Sequence, residues 1–308
     1  RMGGDEFTLA IGGLNDSNQA SDMALKVAER ILHTLNKPYL LQQREVFISA
    51  SIGISVFPHD GDDVLELLKY SDMAMYYAKN MGRDNVQFFD EKMNAKAVEL
   101  MELENDLHQA LARNELELWF QPQYQALSGS VVGAEALLRW NHPQKGLLPP
   151  GIFIPIIEDT GLIVPIGEWV LKQACKKFAF WQQHGLAVKR IAVNVSARQF
   201  KHDGFIQVVK DAIRDAGIQP YQLELELTES ILMDDVSHTL GVLTALRKIG
   251  VRTAIDDFGT GYSSLNYLKQ FPVDILKIDR SFIQNLPQNM DDAQITRTII
   301  AMAHNLGM

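Results

Sequence analysis

The apolar positions of the first 90 residues switch between strand and helix spacing. Every second position is apolar in "EFTLAIGG", which predicts a strand, and "VFISASIGISVFP" and "VQFF" are further strand-like stretches. "SNQASDMALKVAERILHTL" and "DDVLELLKYSDMAMYYAKNMG" instead have helical spacing, and we expect the second helix to end at Gly82. This order of elements predicts an α/β domain over residues 1–89.

Residues 90–113 form one amphipathic pattern, in which apolar residues recur every three or four positions between charged ones. The pattern predicts a helix of about six turns that connects two domains. A lever that transmits a signal and a packed surface helix without such a role fit the pattern equally.

After residue 114 strand-like and helical stretches take turns up to residue 308. The strand-like stretches are "ELWFQPQ", "VVGAEALLRW", "RIAVNVS", "LELELTES", "VRTAIDDFG" and "DILKIDR", and helical stretches include residues 167–183, 205–216, 236–249 and 293–306. Strict alternation predicts a parallel sheet, closed as a barrel or doubly wound. The short "ALSGS" segment between the first two strands predicts a hairpin.

Composition narrows the possible partners. The chain has 308 residues, 29 Lys plus Arg and 38 Asp plus Glu, which gives a net charge of −9 and argues against binding to nucleic-acid polymers or anionic membranes. Its one cysteine, Cys175, lies in an apolar helical pattern and is expected to be a buried thiol. With no long apolar run and no signal-peptide pattern at the start, a cytoplasmic location is expected, and anchoring of the full-length protein to the inner membrane by upstream segments is the alternative.

Polar side chains share one face of successive predicted strands. In a barrel the outward face packs against helices and is apolar, so polar residues on alternate positions point to the interior. Converging carboxylates need cations, and oxygen ligands favour Mg²⁺, Mn²⁺ or Ca²⁺ over Zn²⁺. Two-metal hydrolysis of a phosphate ester is the chemistry this set suggests. The residues are Glu135, Arg139, Asn194, Ser196, Glu224, Glu226, Asp256, Asp257, Lys277 and Asp279.

Several of these residues have a purely structural alternative. Glu224 lies two positions earlier on its strand and is expected to be structural or salt-bridged near the barrel bottom. Lys277 could neutralise Asp279 or Asp256, and Asn194 could be a hydrogen-bonded core amide. In "DDFGTGYSSL" (256–265) the glycines Gly259 and Gly261 permit a tight turn, which suggests a movable lid or a subunit contact.

The motifs of the second half resemble those of a known family. "AEALLRW" (134–140), "NVS" (194–196), "ELTES" (226–230), "DDFGTGYSSL" and "LKIDRSF" (276–282) resemble, in order and spacing, the EAL family of cyclic di-GMP phosphodiesterases. "RMGGDEF" (1–7), "SIGIS" (51–55) and "YAKNMGRDN" (77–85) resemble the GGDEF family of diguanylate cyclases. The resemblance covers nearly the whole chain. It implies a GGDEF-type α/β domain, of which the C-terminal portion is present, followed by an EAL-type modified TIM barrel.

The EAL resemblance implies cleavage of cyclic di-GMP to linear pGpG with two Mg²⁺ or Mn²⁺ ions in the site. It further implies that Lys277 positions the attacking water or stabilises charge, that Glu229 tethers the "DDFGTG" loop, and that Arg139 and Gln121 hold the substrate phosphates. A homodimer is also implied. The implied metal ligands are Glu135, Asn194, Glu226, Asp256 and Asp257.

The GGDEF resemblance implies a GTP site in the first half. Asp5 and Glu6 would bind metal and assist attack by a 3′-hydroxyl of GTP, and Lys79 and Arg83 would face phosphates. An acidic hairpin tip with no catalytic role is the alternative.

The family's general-base glutamate would follow Met308, and the EAL part is shorter than the roughly 250 residues of a usual barrel. We therefore expect the natural protein to extend beyond both ends of the chain. A phosphodiesterase whose GGDEF half makes cyclic di-GMP or binds GTP as a regulator is the leading interpretation. A catalytically silent cyclic di-GMP receptor and a protein that acts mainly as a cyclase are the alternatives.

Overall fold

The computed structural model describes residues 1, 3–13, 17–41, 44–46, 48–259 and 265–308. The chain divides into two compact units, Arg1–Leu103 and Glu104–Met308. Each unit has its own sheet and its own buried residues.

The first unit contains two short sheets and two helices, followed by the first part of helix α3. Strand β3 leads through α2 to β4, and β3 and β4 pair in parallel, which makes a βαβ unit. The elements are α1 (Ser17–Leu35), β1 (Tyr39–Leu41), β2 (Arg44–Val46), β3 (Ile52–Ile54), α2 (Val64–Asn80), β4 (Val86–Phe88) and α3 (Glu91–Ala110).

Helix α2 packs very closely on β3. A Cβ atom added at Gly53 would lie 2.0 Å from the carbonyl oxygen of Ser71 and 2.2 Å from the amide nitrogen of Met75. Only glycine therefore fits at this position of the "SIGIS" stretch. Asp63 caps the start of α2 by accepting a hydrogen bond from the backbone N–H of Glu66. The helix ends as predicted, with Gly82 directly after the cap residue at φ +101°.

The strand predicted for "EFTLAIGG" is wrong. Residues 7–13 form no strand, and Phe7 and Leu9 are exposed. Alternation favours an extended chain, but a strand also needs a neighbour for its backbone hydrogen bonds, and the described residues offer this segment only one bridge, between Gly3 and Glu6. The stretch "VFISASIGISVFP" is likewise strand only over β3 and the last residue of β2, and Phe47 lies outside the described residues.

The predicted connecting helix is present as α3, although it ends three residues before the predicted boundary. Its last turns belong to the second unit, where Leu107 is buried. Asp106 accepts a hydrogen bond from His142 at the end of β6 (3.1 Å).

The second unit alternates strands and helices. The predicted helices over 205–216 and 236–249 are confirmed at both ends. The elements are β5 (Leu116–Tyr124), β6 (Val131–His142), β7 (Gly146–Leu148), α4 (Pro150–Thr160), α5 (Ile163–Gln183), β8 (Arg190–Asn194), α6 (Ala197–Phe200), α7 (Phe205–Ala216), β9 (Leu223–Thr228), α8 (Glu229–Asp234), α9 (Val236–Ile249), β10 (Arg252–Phe258), α10 (Leu265–Leu268), β11 (Ile275–Ile278) and α11 (Met290–Asn305).

One sheet organises the second unit. Its strand order is β11-β10-β9-β8-β6-β5, with β7 paired to the far part of β6. Strands β6, β8, β9, β10 and β11 are parallel, whereas β5 runs antiparallel to β6. The predicted parallel sheet and the predicted hairpin are therefore confirmed. The carboxyl ends of the parallel strands meet at one edge, where barrels and doubly wound folds place their sites.

The apolar face of the central strand β9 is buried. In β9 the side chains of Leu223, Leu225 and Leu227 are at most 1% exposed. Cys175 of α5 is buried, and burial raises the pKa of its thiol to about 12, in agreement with the predicted buried thiol. Among the described residues, no helix combines the length and apolar character that a bilayer crossing requires.

Candidate active site

Three carboxylates from three strands meet at one point of the sheet. Glu135 of β6, Glu226 of β9 and Asp256 of β10 each direct one oxygen to within 4.8 Å of the others. The parallel register explains the convergence, because Glu226 lies beside Ala254 and Asp256 lies beside Thr228 in the ladder between β9 and β10. The sequence prediction that these acids share an interior is confirmed.

The Lys277 ammonium lies among the three carboxylates. Its Nζ is 2.8 Å from Asp256 Oδ2 and 3.4 Å from Glu135 Oε2, and it also donates to Glu226 Oε2. Of the two structural roles considered for Lys277, pairing with Asp256 is observed, while Asp279 instead accepts hydrogen bonds from the backbone and hydroxyl of Ser281. The group thus holds three acids against one lysine.

Two amide side chains border this group. Asn194, at the end of β8, donates from Nδ2 to Glu135 Oε1 (2.8 Å). It is exposed, which excludes the alternative of a buried core amide. Gln121 is the direct cross-strand partner of Glu135 in the antiparallel ladder of β5 and β6, so both side chains project from the same face.

Burial makes Glu226 hard to ionise. Its side chain is fully buried, and burial, together with the charges of Glu135 and Asp256, raises its pKa to about 8 against the opposing effect of Lys277. Glu226 Oε1 has no hydrogen-bond partner among the described residues. Burial lowers the pKa of Lys277, but Glu226 and Asp256 outweigh it, so that the net shift is upward and the ammonium stays charged.

A bulge in β10 separates Asp256 from Asp257. Ile255 pairs with Leu276 and Phe258 pairs with Ile278, so two β10 residues lie opposite one residue of β11. Asp257 has φ +52°, an uncommon backbone angle for a non-glycine residue, and its N–H donates to Asp256 Oδ1 (3.0 Å). Burial and the nearby charges of Asp256 and Asp279 raise the pKa of Asp257.

Glu229 connects the next helix to the loop after β10. It is the first residue of α8 and only 4% exposed, and its Oε2 accepts a hydrogen bond from the backbone N–H of Gly259 (3.1 Å). Gly259 has φ +102°, and a Cβ there would lie 2.8 Å from the Phe282 ring. The predicted lid or subunit contact falls largely on residues 260–264, including Gly261, which lie outside the described residues.

The donor set fits a divalent cation. Carboxylate and amide oxygens are the ligands that Mg²⁺ and Mn²⁺ take, and the unpartnered oxygen of a fully buried Glu226 is the feature that an ion would satisfy. One lysine leaves this group of acids with a net negative charge. The geometry therefore supports a divalent-ion site.

Glu224 is on the same face of β9 as Glu226 but lies nearer the amino end of the sheet, where it has a different partner. Arg190 Nε forms an ion pair with Glu224 Oε2 (2.9 Å) and donates its hydrogen bond to Gln123 Oε1 (3.3 Å). Burial raises the pKa of Glu224, although the charge of Arg190 opposes this shift. The prediction of a salt-bridged structural glutamate is confirmed.

The candidate GTP-site residues of the first unit lie on its surface. Asp5 and Glu6 are exposed in a tight turn that Glu6 N–H closes by donating to Gly3 O (2.9 Å). Lys79 is exposed in the last turn of α2, and Arg83 is exposed just beyond it at φ +59°. Their proposed contacts with GTP stay predictions.

Sequence reasoning missed two residues on the site face, Trp119 and Glu117. Both precede Gln121 on β5 at alternate positions, and Glu117 lies directly opposite Arg139 in the ladder. The guanidinium carbon of Arg139 lies 5.3 Å from the Trp119 ring centroid. The alternation in "ELELWFQPQ" could have placed them on the face of Gln121.

The family model described as "EAL domain" matches residues 104–308. The chain belongs to the EAL family. A second model, described as "Diguanylate cyclase, GGDEF domain", matches residues 1–85, which confirms the tandem arrangement that the motifs indicated.

Full-length relatives of this EAL chain are longer than it is. The "Bifunctional diguanylate cyclase/cyclic di-GMP phosphodiesterase MucR" of Pseudomonas aeruginosa is 47% identical over 308 residues, which are 100% of this chain and 44% of that protein. The "Cyclic di-GMP phosphodiesterase PdeR" of Escherichia coli is 35% identical over 308 residues, 100% of this chain and 46% of that protein. The chain thus spans less than half the length of these relatives.

A solved structure described as "PaMucR Phosphodiesterase, c-di-GMP complex" superimposes on the EAL domain. The TM-score is 0.65 at 49% identity, and the match covers 67% of this chain and 84% of that chain. The fold class, a GGDEF-type α/β region followed by an EAL-type barrel domain, is confirmed.

Proposed function

We propose that the EAL domain hydrolyses one phosphodiester bond of cyclic di-GMP to give linear pGpG, with two Mg²⁺ or Mn²⁺ ions at its site. The observation that carries the proposal is the meeting of Glu135, Glu226 and Asp256 around Lys277 at the carboxyl edge of the sheet. The names of MucR and PdeR support cyclic di-GMP as the substrate.

The chain's own residues suggest how the ions are held. Glu135, Asn194, Glu226, Asp256 and Asp257 would hold the two ions through their side-chain oxygens. When bound, the ions supply the charge that activates water and neutralises the phosphoryl oxygens. The bulge supports the inclusion of Asp257 among these residues, because it displaces Asp257 from the regular alternation of β10.

Lys277 is proposed to orient the attacking water or to stabilise charge at the phosphate. The upward shift of its pKa keeps the ammonium protonated, so it acts as a donor and a positive charge. Glu229 is proposed as a positioning residue, since its bond to Gly259 N–H joins α8 to the loop that follows the two aspartates. Arg139 and Gln121, on the face of Glu135, are proposed to bind the substrate phosphates.

We also propose that the GGDEF region makes cyclic di-GMP or binds GTP as a regulator of its neighbour, and that the protein acts as a homodimer. A site for a nucleoside triphosphate with its metal ion is supported by the exposed acids Asp5 and Glu6 and the exposed cations Lys79 and Arg83.

Product analysis tests the proposal. The protein is incubated separately with cyclic di-GMP and with GTP, each with Mg²⁺, Mn²⁺ or EDTA, and the products are separated by chromatography. We expect pGpG from cyclic di-GMP only when a divalent ion is present. Binding of cyclic di-GMP without turnover would replace the proposal with a receptor, and net synthesis from GTP would make the cyclase the main activity.

Two variants test the residues. Glu226→Ala is expected to abolish cleavage, because it removes the buried ligand, and Glu229→Ala is expected to reduce activity without removing a ligand. Glu168→Ala serves as the control, since Glu168 forms a surface pair with Lys172. Normal turnover of Glu226→Ala with Mg²⁺ would reject its role, and unchanged kinetics of Glu229→Ala would reject the tether.

A further inference from the structure

The hairpin of β5 and β6 places an aromatic residue beside the cation of the site. In its antiparallel ladder Glu117 lies opposite Arg139, Trp119 opposite Leu137, and Gln121 opposite Glu135. Directly opposed residues project from the same face, so Trp119 belongs to the face that carries Glu135 and Arg139.

Three contacts restrain Trp119 and Arg139. The indole Nε1–H of Trp119 donates to Glu117 Oε1 (2.8 Å), which fixes the edge of the ring. The Arg139 guanidinium carbon lies 5.3 Å from the ring centroid, within the range of a cation–π contact. Arg139 Nη1 donates to the carbonyl oxygen of Leu138 (2.8 Å). A long flexible side chain is thereby held at its tip.

The position of this pair suits a phosphate that lies above the carboxylates. Arg139 follows Glu135 by four residues on β6, roughly 13 Å along the strand, in the direction of the carboxyl edge. Trp119 lies between these two positions and is 48% exposed, although its ring is large and apolar. The guanidinium is therefore presented at the rim, where the acids below it would otherwise repel an anionic substrate.

We propose that Trp119 is a positioning residue for Arg139. The indole, fixed by Glu117, holds the guanidinium over its face and limits Arg139 to conformations that meet a substrate phosphate. This inference rests on the proposed function, because it takes the substrate to be a cyclic dinucleotide with two phosphates. Trp119 acts through Arg139 and not by contact with the nucleotide.

A double-mutant cycle on the full chain tests this inference with cyclic di-GMP and Mg²⁺. Trp119→Leu is expected to raise KM about five- to tenfold with kcat within about twofold, and Trp119→Phe, which keeps a ring face, to recover most of the loss. In an Arg139→Met background Trp119→Leu is expected to have no further effect, since its partner is gone. Tyr221→Leu is the control, because Tyr221 is an exposed aromatic residue just before the amino end of β9.

Two results of the cycle overturn the inference. An unchanged KM in Trp119→Leu removes the role, and an equal loss in the Arg139→Met background means that the indole contacts the nucleotide itself. If Trp119→Leu does not fold, Trp119→Phe and Glu117→Gln replace it. Their KM values are then compared with and without Arg139→Met. If the wild type binds cyclic di-GMP without cleaving it, the proposed hydrolysis is wrong, and the double-mutant cycle is evaluated from dissociation constants. If the wild type neither binds nor cleaves cyclic di-GMP, both proposals are wrong.

Discussion

The pKa of Glu226 predicts that the ion-free EAL domain loses stability as the pH rises. The pKa is about 8 in the folded protein against an ordinary value of 4.5, so the folded state binds more protons than the unfolded state between these values. The contribution of Glu226 to the free energy of unfolding is fully present below pH 4.5 and is lost as the pH rises through 8. At about 1.4 kcal/mol per pH unit, the loss amounts to about 5 kcal/mol.

Urea unfolding of the EDTA-treated chain at pH 5, 6, 7 and 8 measures this loss. The chain has 4 tryptophans, and Trp119, Trp140, Trp169 and Trp181 all lie in the EAL domain, so their fluorescence reports on this domain alone. Glu226→Gln cannot ionise at this position, so its free energy of unfolding is expected to vary much less with pH. Glu168→Gln, on the surface, is the control and should keep the wild-type slope.

Divalent ions provide an independent check. A free ion concentration of about 100 times the dissociation constant should raise the free energy of unfolding of the wild type by about 2.7 kcal/mol at pH 8. The increase for Glu226→Gln should be much smaller. Glu224 and Asp257, whose pKa values are also raised, add smaller losses in the same direction. A wild-type profile that is flat, or a slope that is equal in Glu226→Gln, would contradict the raised pKa of Glu226.

Two further predictions concern packing. Arg190→Met leaves the buried Glu224 without its cation and is expected to cost about 3 kcal/mol in urea unfolding followed by tryptophan fluorescence, with partial recovery when Glu224→Gln is added; equal stability of the single variant would contradict this. Gly53→Ala forces a Cβ into the backbone of α2 and is expected to destabilise the first unit by about 2 kcal/mol or more, measured as faster limited proteolysis. Gly12→Ala, where the added atom meets open space, should leave the rate unchanged.

Local patterns were sufficient for elements that bury one continuous face. The alternation of leucine and glutamate in β9 separates an apolar face from a carboxylate face, so the sequence predicts both the strand and the carboxylate face, although both faces are buried. The ranges of α7 and α9 also follow from helical spacing and end at Gly217 and Gly250, both in the left-handed conformation.

Features that depend on a partner strand could not be predicted. The bulge at Asp256 and Asp257 exists only in the register of β10 against β11, and the pairing of Trp119 with Arg139 requires the register of the hairpin. Helix α4 was not predicted, because Pro155 lies inside it and proline disfavours the interior of a helix.

The ammonium of Lys277 gives the barrel an internal counter-charge at the point where a metal ion is expected. Small zinc-dependent domains have no such substitute and unfold when the metal is withdrawn. We expect the EAL domain to reach its native topology without a metal ion, because the lysine limits the repulsion among the acids, but to be less stable at high pH than with the ion bound. Binding of a divalent ion would then complete a site that the fold has already assembled, without a step of refolding.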